Sequence, residues 1–328
     1  MNLDNLLIEI GTEELPPKSL TKLATSFAQS IEKYFKESEF NFSHVAWYAS
    51  PRRLAVYVHQ LADIQNDRTL EVRGPAVSVA FDASGNPTPA AIGWAKSNGV
   101  DVGNTTRLKT DKGEWLYYKG TEKGLPVSDL ISALIEKSLN GLPIPKPMKW
   151  GTNSIQFIRP IHTVTILHGK NLVEGKVLGI NSSRTILGHR FMGAKSFPLA
   201  CANDYLEDLK RHFVIADFSE RKEMIRQQVQ NAAHKENAIA DMNDELLEEV
   251  TSLVEWPVAL VANFEDSFLT VPKEALIYTM KGDQKYFPLL DRAGKLKSRF
   301  IFISNIESKQ PELVISGNEK VIRPRLAD

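Results

Sequence analysis

The sequence has very little cysteine and no excess of charge of either sign. Its 328 residues include a single cysteine, Cys201, which excludes an internal disulfide framework and a cysteine-rich zinc site. Lysine plus arginine and aspartate plus glutamate number 40 each, so the formal net charge is zero. Any surface for an anionic partner such as nucleic acid must therefore be local rather than global. A single cysteine also suits a reducing compartment, and we expect the cytoplasm.

Long apolar runs and several common enzyme motifs are also missing. No stretch approaches the roughly 20 apolar residues of a membrane span, and the first residues lack the basic and apolar regions of a signal peptide. There is no Gly-x-x-x-x-Gly-Lys-Ser/Thr phosphate loop, no Gly-x-Gly-x-x-Gly dinucleotide turn, no Gly-x-Ser-x-Gly elbow and no His-Glu-x-x-His helix. We therefore predict no catalytic residue and no metal site in this chain.

The residues that are present predict an α+β chain of several domains. A single core rarely organises more than about 250–300 residues. A buried strand at 6–10 precedes an amphipathic helix that begins near Pro17 and ends near residue 37. Two strands follow, at 45–48 and 54–58. This strand–helix–strand–strand order is typical of an α+β layer with mixed or antiparallel sheets and packed helices, not of a doubly wound sheet.

Changes in composition divide the chain into four predicted segments. These are a first α+β segment at 1–65, an inserted module with helices and a β-hairpin at 66–145, a basic β-rich segment at 146–200 that packs with the first, and a helical then β-rich segment at 201–328. In the inserted module, the hairpin residues Trp115, Tyr117 and Tyr118 suit either base stacking or cross-strand packing. Packing is the commoner role of such residues.

Four local patterns in the remaining chain carry their own expectations. The stretches 176–180 and 214–217 each predict a strand. Gly282 comes late in a helical run, where glycine often ends a helix in a left-handed turn. The last residues, 317–328, resemble neither a finished helix nor a finished strand, and we expect them to mark a cut at a domain boundary of a longer protein.

Basic residues are concentrated between residues 146 and 195. Eight lysines and arginines there face one acidic residue, Glu174, and most lie beside turns or aromatic residues. This is the electrostatic pattern of a phosphate-rich partner. The candidates for contact with nucleic acid in this region are Lys149, Trp150, Arg159, His189 and Arg190.

A second basic pair follows a proline turn near the N-terminus. Arg52 and Arg53 lie between two predicted strands, where they suit either an anion clamp or exposed charge. The nearby Glu13 and Glu14 suit a catalytic carboxylate pair, but an acidic loop before a helix is favourable in any protein. Both interpretations stay open for each pair.

The stretch 280–288 presents cations and an aromatic ring at a sharp change of direction. Lys281 and Lys285 suit contact with phosphates, and Tyr286 suits stacking on a base. The alternative is a capped helix with solvated lysines. The residues alone do not separate these two interpretations.

Several of these stretches occur together in one known family. The whole chain, in order, resembles the β subunit of the bacterial heterotetrameric glycyl-tRNA synthetase. The matching words are LLIEIGTEELPP at 6–17, PRRLAV at 51–56, MKWG at 148–151, GHRFM at 188–192, VIADF at 214–218, VEWPVA at 254–259, MKGDQKYFP at 280–288, FISNIESK at 302–309 and GNEKVIRPRLAD at 317–328.

The resemblance implies a partner subunit and an RNA. The chain resembles the N-terminal half of a β subunit that assembles with a catalytic α subunit in an α2β2 tetramer and helps to charge tRNA-Gly. In that family ATP and Mg²⁺ are used by the α subunit, so the resemblance implies no cofactor in this chain. It also implies a fold similar to the B3/B4 region of the phenylalanyl-tRNA synthetase β subunit.

Three functions remain open at this point. The first is tRNA recognition through the basic clusters. The second is a purely structural or subunit-docking module, which the zero net charge and the acidic stretch 204–249 favour. The third is a hydrolytic editing site that uses Glu13 or Glu14 with His189. Editing has little chemical motive, because no amino acid smaller than glycine competes with it.

Overall fold

The computed structural model describes residues 2–144, 146–149 and 156–327. In these ranges the strands are β1 (Leu3–Thr12), β2 (His44–Ser50), β3 (Arg53–Ala62), β4 (Arg68–Ala76), β5 (Thr106–Thr110), β6 (Gly113–Glu122), β7 (Met148–Lys149), β8 (Gln156–Phe157), β9 (Ile161–His168), β10 (Asn171–Leu172), β11 (Lys176–Val177), β12 (Ile180–Asn181), β13 (Thr185–Leu187), β14 (Ser196–Pro198), β15 (Ile239–Ala240), β16 (Val258–Asn263), β17 (Phe287–Leu290) and β18 (Leu296–Ser304). The α-helices are α1 (Leu20–Glu37), α2 (Val77–Ala80), α3 (Pro89–Ser97), α4 (Val127–Asn140), α5 (Tyr205–Arg211), α6 (Phe218–Lys235), α7 (Asp244–Thr251), α8 (Lys273–Tyr278) and α9 (Pro311–Ala327).

A five-stranded antiparallel sheet forms the centre of the first half of the chain. Its order is β10-β9-β1-β3-β2, so β1 lies in the middle with β3 on one side and β9 on the other. Ile8 pairs with Val56 of β3 and with Ile166 of β9. The apolar residues 6–8 and 10 in β1, interrupted only by the buried Glu9, fit this position, because both faces of a central strand are covered.

Helices cover the two faces of the central sheet. On one face α1 and α4 pack through residues such as Leu23, Phe27 and Ile131, which are fully buried. On the other face the core includes Leu7, Leu167 and residues around α5. The sheet is therefore the middle layer of an α/β/α sandwich built on antiparallel strands.

A smaller sheet with the order β4-β6-β5 forms the inserted module. Its helices α2 and α3 contribute Ala80 and Ala91 to a small core with Leu116 of β6. These three apolar residues are fully or almost fully buried, and Phe81 and Trp94 pack against them. The module thus has a core separate from that of the central sheet.

A four-stranded sheet with the order β15-β17-β18-β16 forms the last part of the chain. One face packs against α6 and α7 through Ile225, Leu247 and Ile301. The opposite core contains Met280 and Ile322, on the segments around α8 and α9. This sheet is also covered on both faces.

The predicted fold class and most predicted elements are confirmed. The chain is α+β with small antiparallel sheets. A 3₁₀ turn at Pro17–Ser19 leads into α1, which ends at Glu37 as the apolar spacing predicts. The predicted hairpin of the inserted module is formed by β5 and β6.

Two predicted strands are wrong. Residues 176–180 do not form one strand, because Leu178 and Gly179 adopt positive φ of 46° and 82° and turn β11 back onto β12. Residues 214–217, of which 214–216 are buried, join no strand of the described chain. They bond instead to two different segments, with the Ile215 N–H donating to Glu255 and the Ala216 carbonyl accepting from Ala49.

Two further predictions are also wrong, namely that residues 317–328 resemble no helix and that Gly282 ends a helix. The segment 317–328 lies almost wholly within helix α9, whose Ile322 and Leu326 are buried against the last sheet. Gly282 does not end a helix in a left-handed turn. It lies inside a π-helical turn, Thr279–Asp283, and the left-handed residue is Lys285, with φ 59°. The wider turn keeps Met280 fully buried.

A helix long and apolar enough to cross a membrane is not found in the described ranges.

Candidate nucleic-acid interface

Four loops meet at one end of the central sheet. The N–H of Leu15 donates to the carbonyl oxygen of Pro51 at 2.7 Å, and the N–H of Glu13 donates to that of Pro160 at 3.0 Å. These bonds hold the acidic loop between the turn before β3 and the segment before β9. We call the assembly the loop junction, and it consists of residues 12–17, 50–53, 157–162 and 187–193.

The loop after β13 projects an aromatic ring from the junction. A Cβ at Gly188 would lie 2.3 Å from the carbonyl oxygen of Ala194, so this turn closes tightly only with glycine. Gly193 ends the loop with φ 68°. Between them Phe191 is 71% exposed, and the Arg190 guanidinium lies 5.8 Å from the centre of its ring. An exposed aromatic ring next to a cation suits stacking on a base beside a phosphate.

Three predicted arginines lie at the surface of the loop junction. Arg52 is half-buried and lies 3.5 Å from the carbonyl oxygen of Gly188. The Arg190 guanidinium lies 3.3 Å from the Glu14 carboxylate, and its side chain is 47% exposed. Arg159 donates from Nε to the carbonyl oxygen of Glu14 at 2.9 Å. The fold therefore brings these three cations together, although Arg52 and Arg190 are 138 residues apart in the sequence.

Lys149 lies next to this group. It is exposed on the short strand β7, and the Arg159 Nη1 lies 3.4 Å from the sulfur of the neighbouring Met148. Met148 itself is 43% exposed. The junction thus extends into a surface of mixed cationic and apolar character.

An acidic residue in the junction is paired with a histidine. Glu13 Oε1 lies 2.8 Å from His162 Nε2, and both side chains are about 40% exposed. The hydrogen bond from His162 lowers the pKa of Glu13, aided by the charges of Arg190 and Arg52 and opposed by partial burial. Glu13 therefore stays ionised and offsets part of the positive charge of the junction.

Arg53 is not a surface residue, contrary to the exposed interpretation of the Arg52–Arg53 pair. Its side chain is fully buried and lies 3.1 Å from Glu9 and 3.5 Å from Glu255. Burial alone lowers the pKa of Arg53, but these two carboxylates outweigh it and raise the pKa above its ordinary value. A guanidinium enclosed in this way is closed off from an external phosphate, so Arg53 joins parts of the fold.

His189 is also enclosed, and only 1% of it is exposed. Its Nδ1 accepts from the backbone N–H groups of Phe191 and Met192 at 3.1 and 3.2 Å. The proton then belongs on Nε2, which lies 3.3 Å from the Asn305 side-chain oxygen. His189 fixes the loop that carries Phe191. Glu13 is paired with His162, not with His189. The geometry therefore does not support an editing pair that uses His189.

The two lysines of the 280–288 stretch are held by acidic residues in another part of the fold. Lys281 Nζ lies 2.9 Å from Asp241, and Lys285 Nζ lies 3.1 Å from Glu249. Both lysine side chains are less than a quarter exposed. Their charge is therefore largely neutralised within the chain.

Tyr286 belongs to the core of the last sheet. It is 6% exposed, stacks on Phe300 with ring centres 4.6 Å apart, and donates to the Asn318 side-chain oxygen at 2.6 Å. Burial raises the pKa of Tyr286 to about 12. A base has no access to this ring, so the stretch is a structural corner between α8 and β17.

The remaining candidate, Trp150, lies outside the described residues. Sequence reasoning missed two residues of the junction, Phe191 and His162. A local signal exists for Phe191, because it directly follows the predicted contact residues His189 and Arg190. His162 follows Pro160 closely in the basic region, yet its pairing with Glu13 depends on the sheet and leaves no local signal. In the part of the chain that the structure describes, no group of three or more potential metal ligands is found.

Comparison with known proteins gives one consistent answer. The family model described as "Glycyl-tRNA synthetase beta subunit" matches residues 6–328. Similar proteins include the "Glycine--tRNA ligase beta subunit" of Pseudoalteromonas atlantica, 62% identical, and those of Shewanella woodyi and Shewanella putrefaciens, 57% and 59% identical. Each match covers all of this chain but only 47–48% of the relative, so the chain spans about half the length of these relatives. The chain belongs to the glycyl-tRNA synthetase β-subunit family.

Proposed function

We propose that this chain is the N-terminal part of a glycine–tRNA ligase β subunit and that its loop junction contacts the backbone of tRNA-Gly. In this proposal the chain works in the cytoplasm within an α2β2 tetramer. The α subunit binds ATP and Mg²⁺ and performs the charging of tRNA with glycine. This chain supplies no catalytic residue of its own and instead helps to hold the RNA.

One observation carries the proposal: the junction gathers Arg52, Arg159 and Arg190 at one end of the sheet, and Arg190 lies 5.8 Å from the exposed ring of Phe191. Guanidinium groups meet phosphates with two parallel hydrogen bonds, and aromatic rings stack on unpaired bases. The two glutamates of the junction lower its net charge but also orient the arginines, as the 3.3 Å contact of Arg190 with Glu14 illustrates. The lysines at 281 and 285 are left out of this proposal, because acidic side chains already hold them.

A salt series on tRNA binding tests the proposal. A plot of the logarithm of the association constant against the logarithm of the salt concentration has a negative slope when phosphates are neutralised. Each arginine that binds a phosphate should add roughly 0.7–0.9 to the magnitude of this slope. We expect Arg159→Gln and Arg190→Gln each to weaken binding of a tRNA-Gly transcript and to reduce the slope by about 1. The measurement is fluorescence anisotropy between 50 and 200 mM salt.

Arg211→Gln is the matched control, since Arg211 is an arginine on α5 whose side chain is 72% exposed and which pairs with Asp208. It should leave both affinity and slope unchanged. If the two junction variants behave like this control, the junction does not hold the RNA. Phe191→Ala adds a second readout, with an expected loss of about tenfold in affinity from one base stack.

Subunit docking is the second candidate, and one observation favours it. Phe191 is 71% exposed and Met148 is 43% exposed, and exposed apolar groups of this size commonly mark protein interfaces. Capture of the α subunit by this chain, measured for wild type and for Phe191→Ala, separates the two functions. Loss of α-subunit capture with unchanged tRNA affinity would assign the junction to docking.

A further inference from the structure

The sheet of the inserted module has one covered face and one open face. Leu116 points to the covered face, where it packs with Ala80 and Ala91 of the two short helices. Neighbouring residues along a strand point to opposite faces, so Trp115 and Tyr117 point away from this core. We call the side that carries them the open face.

Cross-strand pairing places further residues on the open face. Leu108 of β5 lies opposite Trp115, and Arg73 of β4 lies opposite Tyr117. In the described part of the chain, Leu108, Trp115 and Tyr117 belong to none of the buried clusters or to the apolar residues packed against them. Each is partly exposed. The aromatic pair therefore does not serve the core of the module.

Two cations lie on the open face, one stacked on an aromatic ring and one paired with a carboxylate. The Arg73 guanidinium lies 4.5 Å above the centre of the Trp115 ring. Lys119 lies opposite Glu71, with 3.1 Å between Nζ and the carboxylate. Hydrogen bonds from Lys119 and then from Tyr117 lower the pKa of Glu71. The Arg73–Trp115 stack already places one cation over an aromatic ring before any ligand arrives, which reduces the entropy lost on binding.

The character of the open face favours RNA over a protein partner. A protein-docking face is expected to be a contiguous apolar patch, whereas here exposed polar residues such as Thr106 and Thr121 share the face with the aromatic pair. On this face Arg73 and Lys119 outnumber the single acid Glu71.

We propose that the open face binds two or more unpaired nucleotides of an RNA strand. One base stacks on the Arg73–Trp115 pair, because a guanidinium plane also serves as a stacking surface. A second base stacks on Tyr117, and Lys119 meets a phosphate. This inference rests on the proposed function only for the source of the RNA, an unpaired segment of tRNA, and it uses none of the residues of the loop junction.

Binding of a fluorescent unpaired 12-nucleotide RNA to the full chain tests the inference. We expect measurable affinity at 50 mM salt and weaker binding of a duplex with the same sequence, because paired bases cannot stack on side chains. Tyr117→Leu should weaken binding of the unpaired RNA about tenfold, and Arg73→Gln should do so to a similar extent. Tyr278→Leu is the control, because Tyr278 is a 74% exposed tyrosine in a different part of the fold, and it should change affinity less than twofold.

Circular dichroism checks that each variant is folded, and Arg73→Gln keeps the experiment decisive if Tyr117→Leu unfolds the module. Equal binding of duplex and unpaired RNA, or variants that bind as tightly as the control, would overturn the inference. Loss of α-subunit capture without loss of RNA affinity would overturn it in favour of a protein partner. If Arg190→Gln weakens tRNA binding while Tyr117→Leu does not, the proposed function stands and this inference fails. The opposite result would support RNA binding by the open face and contradict RNA binding by the loop junction.

Discussion

Arg53 is a predicted nucleic-acid contact whose partners in the fold make it a buried structural residue. Its guanidinium lies between Glu9 of β1 and Glu255, which precedes β16. Its Nε also donates to the hydroxyl oxygen of Ser50 at 3.0 Å. Removing one member of such a buried group leaves an uncompensated charge, which typically costs about 3–5 kcal/mol. Arg53 therefore contributes to the fold, while its neighbour Arg52 remains at the surface.

A pair of histidines on the central sheet makes stability depend on pH. The rings of His44 and His59 lie 3.9 Å apart and nearly parallel. Burial, and then the charge of His44, lower the pKa of His59. The folded chain therefore favours the neutral imidazole, whereas in the unfolded chain the pKa is about 6.5.

Below about pH 6.5 the unfolded chain binds more protons at His59 than the folded chain, so the free energy of unfolding should fall as the pH falls. We expect His59→Gln to reduce the drop in melting temperature between pH 8 and pH 5. His234→Gln, at an exposed histidine near the end of α6, should leave the drop as in the wild type. Parallel pH profiles for wild type and His59→Gln would contradict the prediction.

At the scale of elements, several helices end with the same local arrangement. After α1, the Phe40 N–H donates to the carbonyl oxygen of Phe35 at 3.0 Å. Glu39, the residue before Phe40, has φ 56°. After α3, the Val100 N–H donates to Ala95, and Gly99 has φ 68°. This is the Schellman motif, in which a left-handed residue lets the chain turn back and satisfy the last carbonyl groups.

Two glycines near α3 should respond to alanine in opposite directions. A Cβ at either Gly93 or Gly99 would have no heavy atom within 4 Å, so only the backbone decides. Gly93 lies inside the helix, where alanine is favoured by roughly 0.5–1 kcal/mol. Gly99 is left-handed, where alanine costs roughly 1–2 kcal/mol.

We therefore expect Gly93→Ala to raise the urea concentration at the midpoint of unfolding of the module, and Gly99→Ala to lower it. Unfolding is measured by circular dichroism. Each variant serves as the control of the other, since both add one methyl group to an open site. Shifts of the same sign would contradict the backbone argument.

Elements were predictable where the pattern is local. The apolar spacing of α1 and the mostly apolar run of β1 depend on a few neighbouring residues, and both elements form where the sequence predicts them. The turn at Leu178 and Gly179 was missed because a two-residue reversal inside an apolar run changes only two backbone angles. The candidate site was less predictable, because the burial of Arg53 depends on Glu255, about 200 residues away.

At the scale of the whole molecule, Arg221 joins the central sheet to the last part of the chain. It is fully buried on α6, and its guanidinium donates to the carbonyl oxygens of Ala49 at 2.8 Å, Thr251 at 3.0 Å, and Ile215. Ala49 belongs to β2 of the central sheet. One side chain thus satisfies the backbone of three segments.

We expect Arg221→Met to leave these carbonyl groups without partners, at a cost of about 1–3 kcal/mol each. The two sheets should then melt more independently, so that calorimetry shows a broadened or split transition at lower temperature. Arg226→Met is the matched control, because Arg226 lies on the same helix with a partly exposed side chain. A single transition at the control temperature would show that other contacts join the two parts.

The position of β1 between β3 and β9 has a consequence for the timing of folding. Thr12 pairs with Ile161, so one edge of β1 acquires its partner only after about 150 further residues of chain. At synthesis rates of about 5–20 residues per second, this is a delay of roughly 8–30 seconds. Over about the last 100 of these residues, after Ala62 completes β3, the newborn β1–β3–β2 sheet presents an unpaired edge, which is a template for pairing with other chains. We therefore expect the yield of folded protein to depend on protection of that edge until β9 is made.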